Sequence, residues 1–80
     1  MFQAQNKGFT ITFDNGVTVS VQFGYGNYCE KRFEKDSPFN HTSKDAEVLA
    51  WDKDDNELIS PQGWQSPEQV LNLLNHFANL

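Results

Sequence analysis

The stretch Phe9-Thr10-Ile11-Thr12-Phe13-Asp14-Asn15-Gly16-Val17-Thr18-Val19-Ser20-Val21-Gln22-Phe23 decides the fold. Apolar and polar residues alternate on both sides of Asp14-Asn15-Gly16, the period of two half-buried strands. The length of the turn follows from the side chains. A two-residue Asn15-Gly16 loop would set Phe13 opposite Thr18 and pair every apolar residue with a polar one. A three-residue loop from Asp14 to Gly16 sets Phe13 opposite Val17, Ile11 opposite Val19 and Phe9 opposite Val21. All the apolar residues then share one face. That loop needs a type I turn followed by Gly16 in the left-handed conformation.

Outward from this hairpin (9–23) the pattern changes. Met1 to Gly8 reads as a loose polar lead-in. Residues 24–44 carry Gly24, Gly26 and Pro38 with no clear period, an irregular crossover that is either functional or mobile. A second hairpin, 46–59, follows. Ala46 to Asp52 has apolar residues on both faces, as in a central strand covered on two sides. Lys53-Asp54-Asp55-Asn56 makes the turn, and Glu57-Leu58-Ile59 is a short partner ended by Pro61 and Gly63. Ser66-Pro67-Glu68-Gln69 is a helix start with a capping box. Val70, Leu73, Leu74, Phe77 and Ala78 then fall on one face of a helix over 67–78. The expected fold is one α+β domain spanning 1–80: an antiparallel sheet of about four strands with one C-terminal amphipathic helix packed on one face.

Composition bounds the size and setting of this domain. A chain of 80 residues, 9.2 kDa, is expected to fold to a surface of about 5,000 Å² from an unfolded roughly 13,000 Å². Its 14% aromatics predict a core and rim built from rings, which disordered chains lack. The longest apolar runs are too short to span a membrane. The polar opening Met1-Phe2-Gln3-Ala4-Gln5-Asn6-Lys7 is no signal peptide, so a cytoplasmic location is expected. The net charge of −5 opposes direct nucleic-acid binding. A domain this small gains stability by self-association, so a homo-oligomer is expected.

Two stretches carry a resemblance. They are Asn15-Gly16-Val17-Thr18-Val19-Ser20-Val21-Gln22-Phe23-Gly24-Tyr25-Gly26-Asn27-Tyr28-Cys29, and Ser43-Lys44-Asp45-Ala46-Glu47-Val48 followed by Trp51-Asp52. They resemble a set of small phage- and prophage-encoded proteins, many without an assigned role. The resemblance spans most of Gly8 to Leu74. It implies a phage accessory protein acting in the host cytoplasm against host defences. It implies no catalytic residue.

The residues themselves give little catalytic chemistry. Cys29 is the single thiol, and a nucleophile needs a positioned base. His41 and Asp45 are the available groups, but nothing in the spacing brings them to the sulfur, so a structural Cys29 is expected. Cys29, His41 and His76 are too scattered for zinc. Asp52-Lys53-Asp54-Asp55-Asn56 opens like a calcium loop, but Glu57 stands where glycine is needed and Gly63 where a bidentate Glu belongs. No enzyme activity, cofactor or metal is expected.

Charge layout points elsewhere. Residues 24–44 carry Lys31, Arg32, Lys35 and Lys44 against Glu30, Glu34 and Asp36, a balance of +1. Residues 45–68 carry seven acids against Lys53, a balance of −6. The least acidic segment also holds Tyr25, Tyr28, Phe33 and Phe39. An arginine among rings on a glycine-bearing loop suits a planar anion such as a nucleotide. The expected ligand-binding set is Tyr25, Asn27, Tyr28, Lys31, Arg32 and Phe33, seated at a subunit interface because eighty residues enclose little. The competing and commoner arrangement is that these rings cap a small core and the charges are solvated. Two functions from different classes follow. One is a non-enzymatic sponge that sequesters a nucleotide-type signal. The other is an acidic inhibitor of a host defence protein, working through Asp45 to Glu57 as a nucleic-acid mimic or protein-binding face.

Overall fold

The computed structural model describes residues 1–5, 7–33 and 42–80. The fold is α+β, with one open antiparallel sheet and one C-terminal helix packed on it. The sheet has five strands rather than four: β1 (Phe2–Gln5), β2 (Gly8–Thr12), β3 (Thr18–Gln22), β4 (Ala46–Trp51) and β5 (Glu57–Gln65), adjacent in chain order. Its accessible surface, 5264 Å², matches the value expected for the mass.

The first turn forms as the side chains require. Phe9 pairs with Val21 and Ile11 with Val19. The Phe13 N–H donates to Val17 O at 2.9 Å, and Gly16 has φ 88°. Thr12 and Thr18 share the opposite face, where their hydroxyls lie 2.8 Å apart. Asn15 has a further role that local pattern does not reveal. Its Oδ1 accepts from the Val17 N–H, and its Nδ2 donates to Phe77 O at 2.8 Å. One side chain thus closes the turn and ties it to the end of the helix.

Two expectations are corrected here. Met1 to Gly8 is not a loose lead-in, because Phe2–Gln5 forms β1 on the edge of β2, in register from Phe2↔Ile11 to Gln5↔Gly8. Pro61 and Gly63 do not end the last strand, because β5 continues to Gln65. β5 is an edge strand, where a missing N–H is tolerated, and breaks in its register against β4 absorb the irregular residues.

The helix α1 (Pro67–Ala78) starts as its sequence predicts. Ser66 Oγ accepts from Gln69 N–H at 3.2 Å, and Gln69 Oε1 accepts from Ser66 N–H at 2.8 Å. Phe77 is its one buried residue; Val70, Leu73 and Leu74 are half-buried against the core, and Ala78 is exposed. The helix lies over β3, β4 and β5. Val17, Val19, Val21, Ala46, Val48, Ala50 and Phe77 make the core. β4 is interior to the sheet as expected, yet the helix covers only its Ala46, Val48 and Ala50 face. Leu49 and Trp51 on the other face are half-buried.

Replacing Gly16 by Val places a β-branched residue at positive φ, where its Cβ would also meet Lys53 Cβ at 3.2 Å. The expected loss is about 1–3 kcal/mol. Equal denaturation midpoints for variant and parent would refute the turn.

Candidate functional site

The first part of the crossover is built of successive tight turns. Asn27 N–H donates to Gly24 O, Cys29 N–H to Asn27 O, Arg32 N–H to Cys29 O and Gly26 N–H to Arg32 O, all at 2.9–3.1 Å. Three bonds then seat this loop on the sheet. Tyr28 N–H reaches Glu47 Oε2 at 3.1 Å, Glu30 N–H reaches Asp45 Oδ1 at 2.6 Å, and Trp64 N–H reaches Tyr28 O at 2.7 Å. Gly63 makes the close approach possible: a Cβ there would stand 2.7 Å from Tyr28 Cβ.

Cys29 is the buried foot of this loop. It is 1% exposed, with its thiol 3.6 Å from Gly24 O. Asp45, one of the two groups available to the thiol by sequence, instead accepts from the Glu30 N–H. Lys35, Phe39 and His41 lie outside the described residues.

Three of the six expected site residues come together. The Arg32 guanidinium sits 4.2 Å over the Tyr28 ring and 5.3 Å from the Phe33 ring centre. Such placements are worth about 0.5–2 kcal/mol each. Arg32 Nη1 is buried and has no hydrogen-bond partner among the described residues. A buried donor without an acceptor costs about 1–3 kcal/mol, more when charged, so this arrangement opposes stability and marks the group. The other three residues behave differently. Tyr25 is exposed and joins none of these ring contacts among the described residues. Asn27 shapes the turn with its backbone. Lys31 Nζ is turned to Glu30 Oε1 at 3.5 Å.

Trp64 belongs to the cluster although the sequence pattern omits it. Its ring lies 5.6 Å from that of Tyr28, tilted by 32°. Trp64 is 56% exposed and holds φ 50°. A bulky residue at positive φ is strained by about 1–3 kcal/mol, and such strain concentrates at functional sites. The residue order Gly63-Trp64 beside a strand end is the local trace of it. Trp64, Tyr28, Arg32 and Phe33 thus form a continuous, outward-facing stack of π surfaces around one cation.

The acidic alternative is narrower than its sequence suggests. Asp52 Oδ1 accepts from the N–H groups of Asp54 and Asn56 at 2.8 and 3.0 Å, and Oδ2 accepts from Asn56 Nδ2 at 3.1 Å. These bonds, led by those from Asn56, hold its carboxyl below the usual carboxylate range. Asp52 therefore organises the β4–β5 turn. Asp54, Asp55 and Glu57 remain as exposed acids on this hairpin. A groove of about 450 Å³ opens elsewhere, between Val21, Phe23 and Ala46 on the sheet and Pro67 and Val70 on the helix. None of the six expected site residues lines it.

Among the described residues, no cluster of His, Cys, Asp and Glu is arranged to hold a metal ion, and no helix is long and apolar enough to cross a membrane. No family, no curated protein and no solved structure matches this chain.

Gly63→Ala is expected to push Tyr28 off β5 and cost about 1–3 kcal/mol by overpacking. Denaturation and the near-UV signal of the Tyr28–Trp64 pair check it; both unchanged would mean the loop is not seated there. Asp52→Ala is expected to lower the melting midpoint at neutral pH. A depressed carboxyl stabilises the fold above its unfolded pKa and ceases to do so as pH falls through its folded pKa. The gap between parent and variant should therefore close on acidification, and a gap independent of pH would refute the assignment.

Proposed function

We propose that this chain is a non-enzymatic binding domain that sequesters a small planar anion of nucleotide type on the Tyr28–Arg32–Trp64 stack. The observation that carries the reading is Arg32 Nη1, buried and without a hydrogen-bond partner among the described residues, in a guanidinium placed against Tyr28 and Phe33 beside an exposed tryptophan. A phosphate supplies an acceptor of the kind Arg32 Nη1 lacks, and guanidinium geometry matches two phosphate oxygens at once. A base supplies a flat partner for Trp64 or Phe33; base–ring stacking is worth about 1–3 kcal/mol. Among the described residues the neighbouring basic side chains approach an acid, and Arg32 is the proposed anchor. Lys31 and Lys44 both approach Glu30, at 3.5 and 4.0 Å, and Glu47 is engaged by the Tyr28 N–H. The phage resemblance of the Gly24–Cys29 stretch supports a counter-defence accessory role, in which capture of a signalling nucleotide silences a host response.

Calorimetry with linear and cyclic nucleotides tests this. Arg32→Ala is expected to weaken binding about ten- to a hundredfold, the loss of about 1.5–3 kcal/mol from one charge-assisted contact. Trp64→Ala should weaken it similarly. Charge reversal at Asp54 and Asp55 should leave it unchanged. If the parent binds no nucleotide more tightly than about 10 μM (about −7 kcal/mol), sequestration fails. The exposed acids Asp54, Asp55 and Glu57 then become the leading surface, directed at a host protein.

A further inference from the structure

The two edges of the sheet are built differently. β5 carries Pro61, breaks in register against β4, and a left-handed residue at Trp64. Edge strands use such irregularities to refuse a further strand. β1 has none of them. Phe2-Gln3-Ala4-Gln5 contains no proline, glycine or charge, pairs with β2 in unbroken register, and is exposed at every residue. Its outward backbone groups can be assigned. Met1 and Thr12 exchange bonds in both directions at 2.8 Å. Bonded and non-bonded pairs alternate along an antiparallel ladder. Phe2 and Ala4 therefore direct their N–H and C=O groups away from β2, to the open edge.

We infer that β1 pairs antiparallel with β1 of a second copy, about a two-fold axis through Gln3, joining two five-stranded sheets into one. Phe2 of each copy then exchanges two backbone hydrogen bonds with Ala4 of the other. The side chains fit this register. On the helix side of the sheet, Ala50, Val19, Ile11 and Phe2 form one cross-strand row, and Val48, Val21, Phe9 and Ala4 form the next. The two-fold joins the first row of one copy to the second row of the other, so an unbroken apolar row runs from core to core. The large Phe2, 75% exposed in the single chain, meets the small Ala4 across the axis. On the opposite side Gln3 faces Gln3, so amides and not like charges meet at the axis. The Tyr28–Trp64 stack is built against β5, at the far edge, and stays open in both copies. In this arrangement the Tyr28–Trp64 stack lies away from the subunit interface.

Sedimentation equilibrium tests the pairing on the intact chain. The parent is expected to approach twice its 9.2 kDa mass with rising concentration. Gln3→Lys and Gln3→Glu each place like charges across the axis, and each should raise the dimer dissociation constant by at least about tenfold. An equimolar mixture of the two should recover association to at least the parent level. Ala4→Pro removes an outward N–H that the hairpin does not use, and should also give monomer with an unchanged circular dichroism spectrum. A parent that stays monomeric at about 100 μM, a weak-affinity concentration, overturns the proposal and leaves this edge to a strand from another protein. So does a mixture no better associated than either variant alone, because only the two-fold at Gln3 brings those positions together.

Discussion

The rest of the structure depends on the register of the first hairpin. Gly16 at positive φ permits a three-residue turn, and that turn sets Val17, Val19 and Val21 on one face. A slip of one residue would turn those valines to the Thr12–Thr18 side and offer the helix a row of hydroxyls. Every later contact inherits the choice. Val48 and Ala50 are buried because they lie opposite Val21 and Val19, and Phe77 is buried because that face is apolar. Asn15 reinforces it from within the turn, since the same amide that accepts from Val17 also holds the carbonyl of Phe77.

The parts of the fold that were legible in the sequence are those governed by short-range pattern. Period two marked β2 and β3, and Ser66-Pro67-Glu68-Gln69 marked the helix start, because each signal lies within a few residues. β1 was missed because Phe2-Gln3-Ala4-Gln5 carries one large apolar side chain, and that side chain is exposed. Its strand state comes from pairing with β2, which local propensity does not report. The end of β5 was misread because Pro61 and Gly63 act as terminators in an interior strand and are tolerated on an edge. At the site, Tyr28, Arg32 and Phe33 were readable as rings beside a cation in the least acidic segment. Trp64 was not, because its contact with Tyr28 joins residues 36 apart through a backbone bond that only the folded sheet creates.

The aromatic stack combines two unrelaxed features among the described residues. Buried polar groups normally find partners, and bulky residues normally avoid positive φ. Arg32 Nη1 and Trp64 break both tendencies within one cluster. The loop is held in position because its backbone bonds to Glu47, Asp45 and the Trp64 N–H, while the buried Arg32 Nη1 has no partner among the described residues. If the cluster binds as proposed, a backbone already tied to the sheet leaves less ordering for the ligand to impose.

The strand order has a kinetic meaning. Each strand neighbours the next in sequence, so three of the four ladders close across short connections. The β3–β4 ladder alone spans a long one, residues 23–45. Chain entropy resists that closure before any contact rewards it. Assembly of the molecule is therefore governed by one encounter, in which the preformed Val19–Val21 strand captures Val48 and Ala50. The loop that displays the rings is part of the tether across which that encounter occurs. Because closure entropy grows only logarithmically with length, this tether can change in size and composition with little effect on the rate at which the sheet zips shut. The connection between β3 and β4 is thus free to vary in length on a folding route that stays nearly constant.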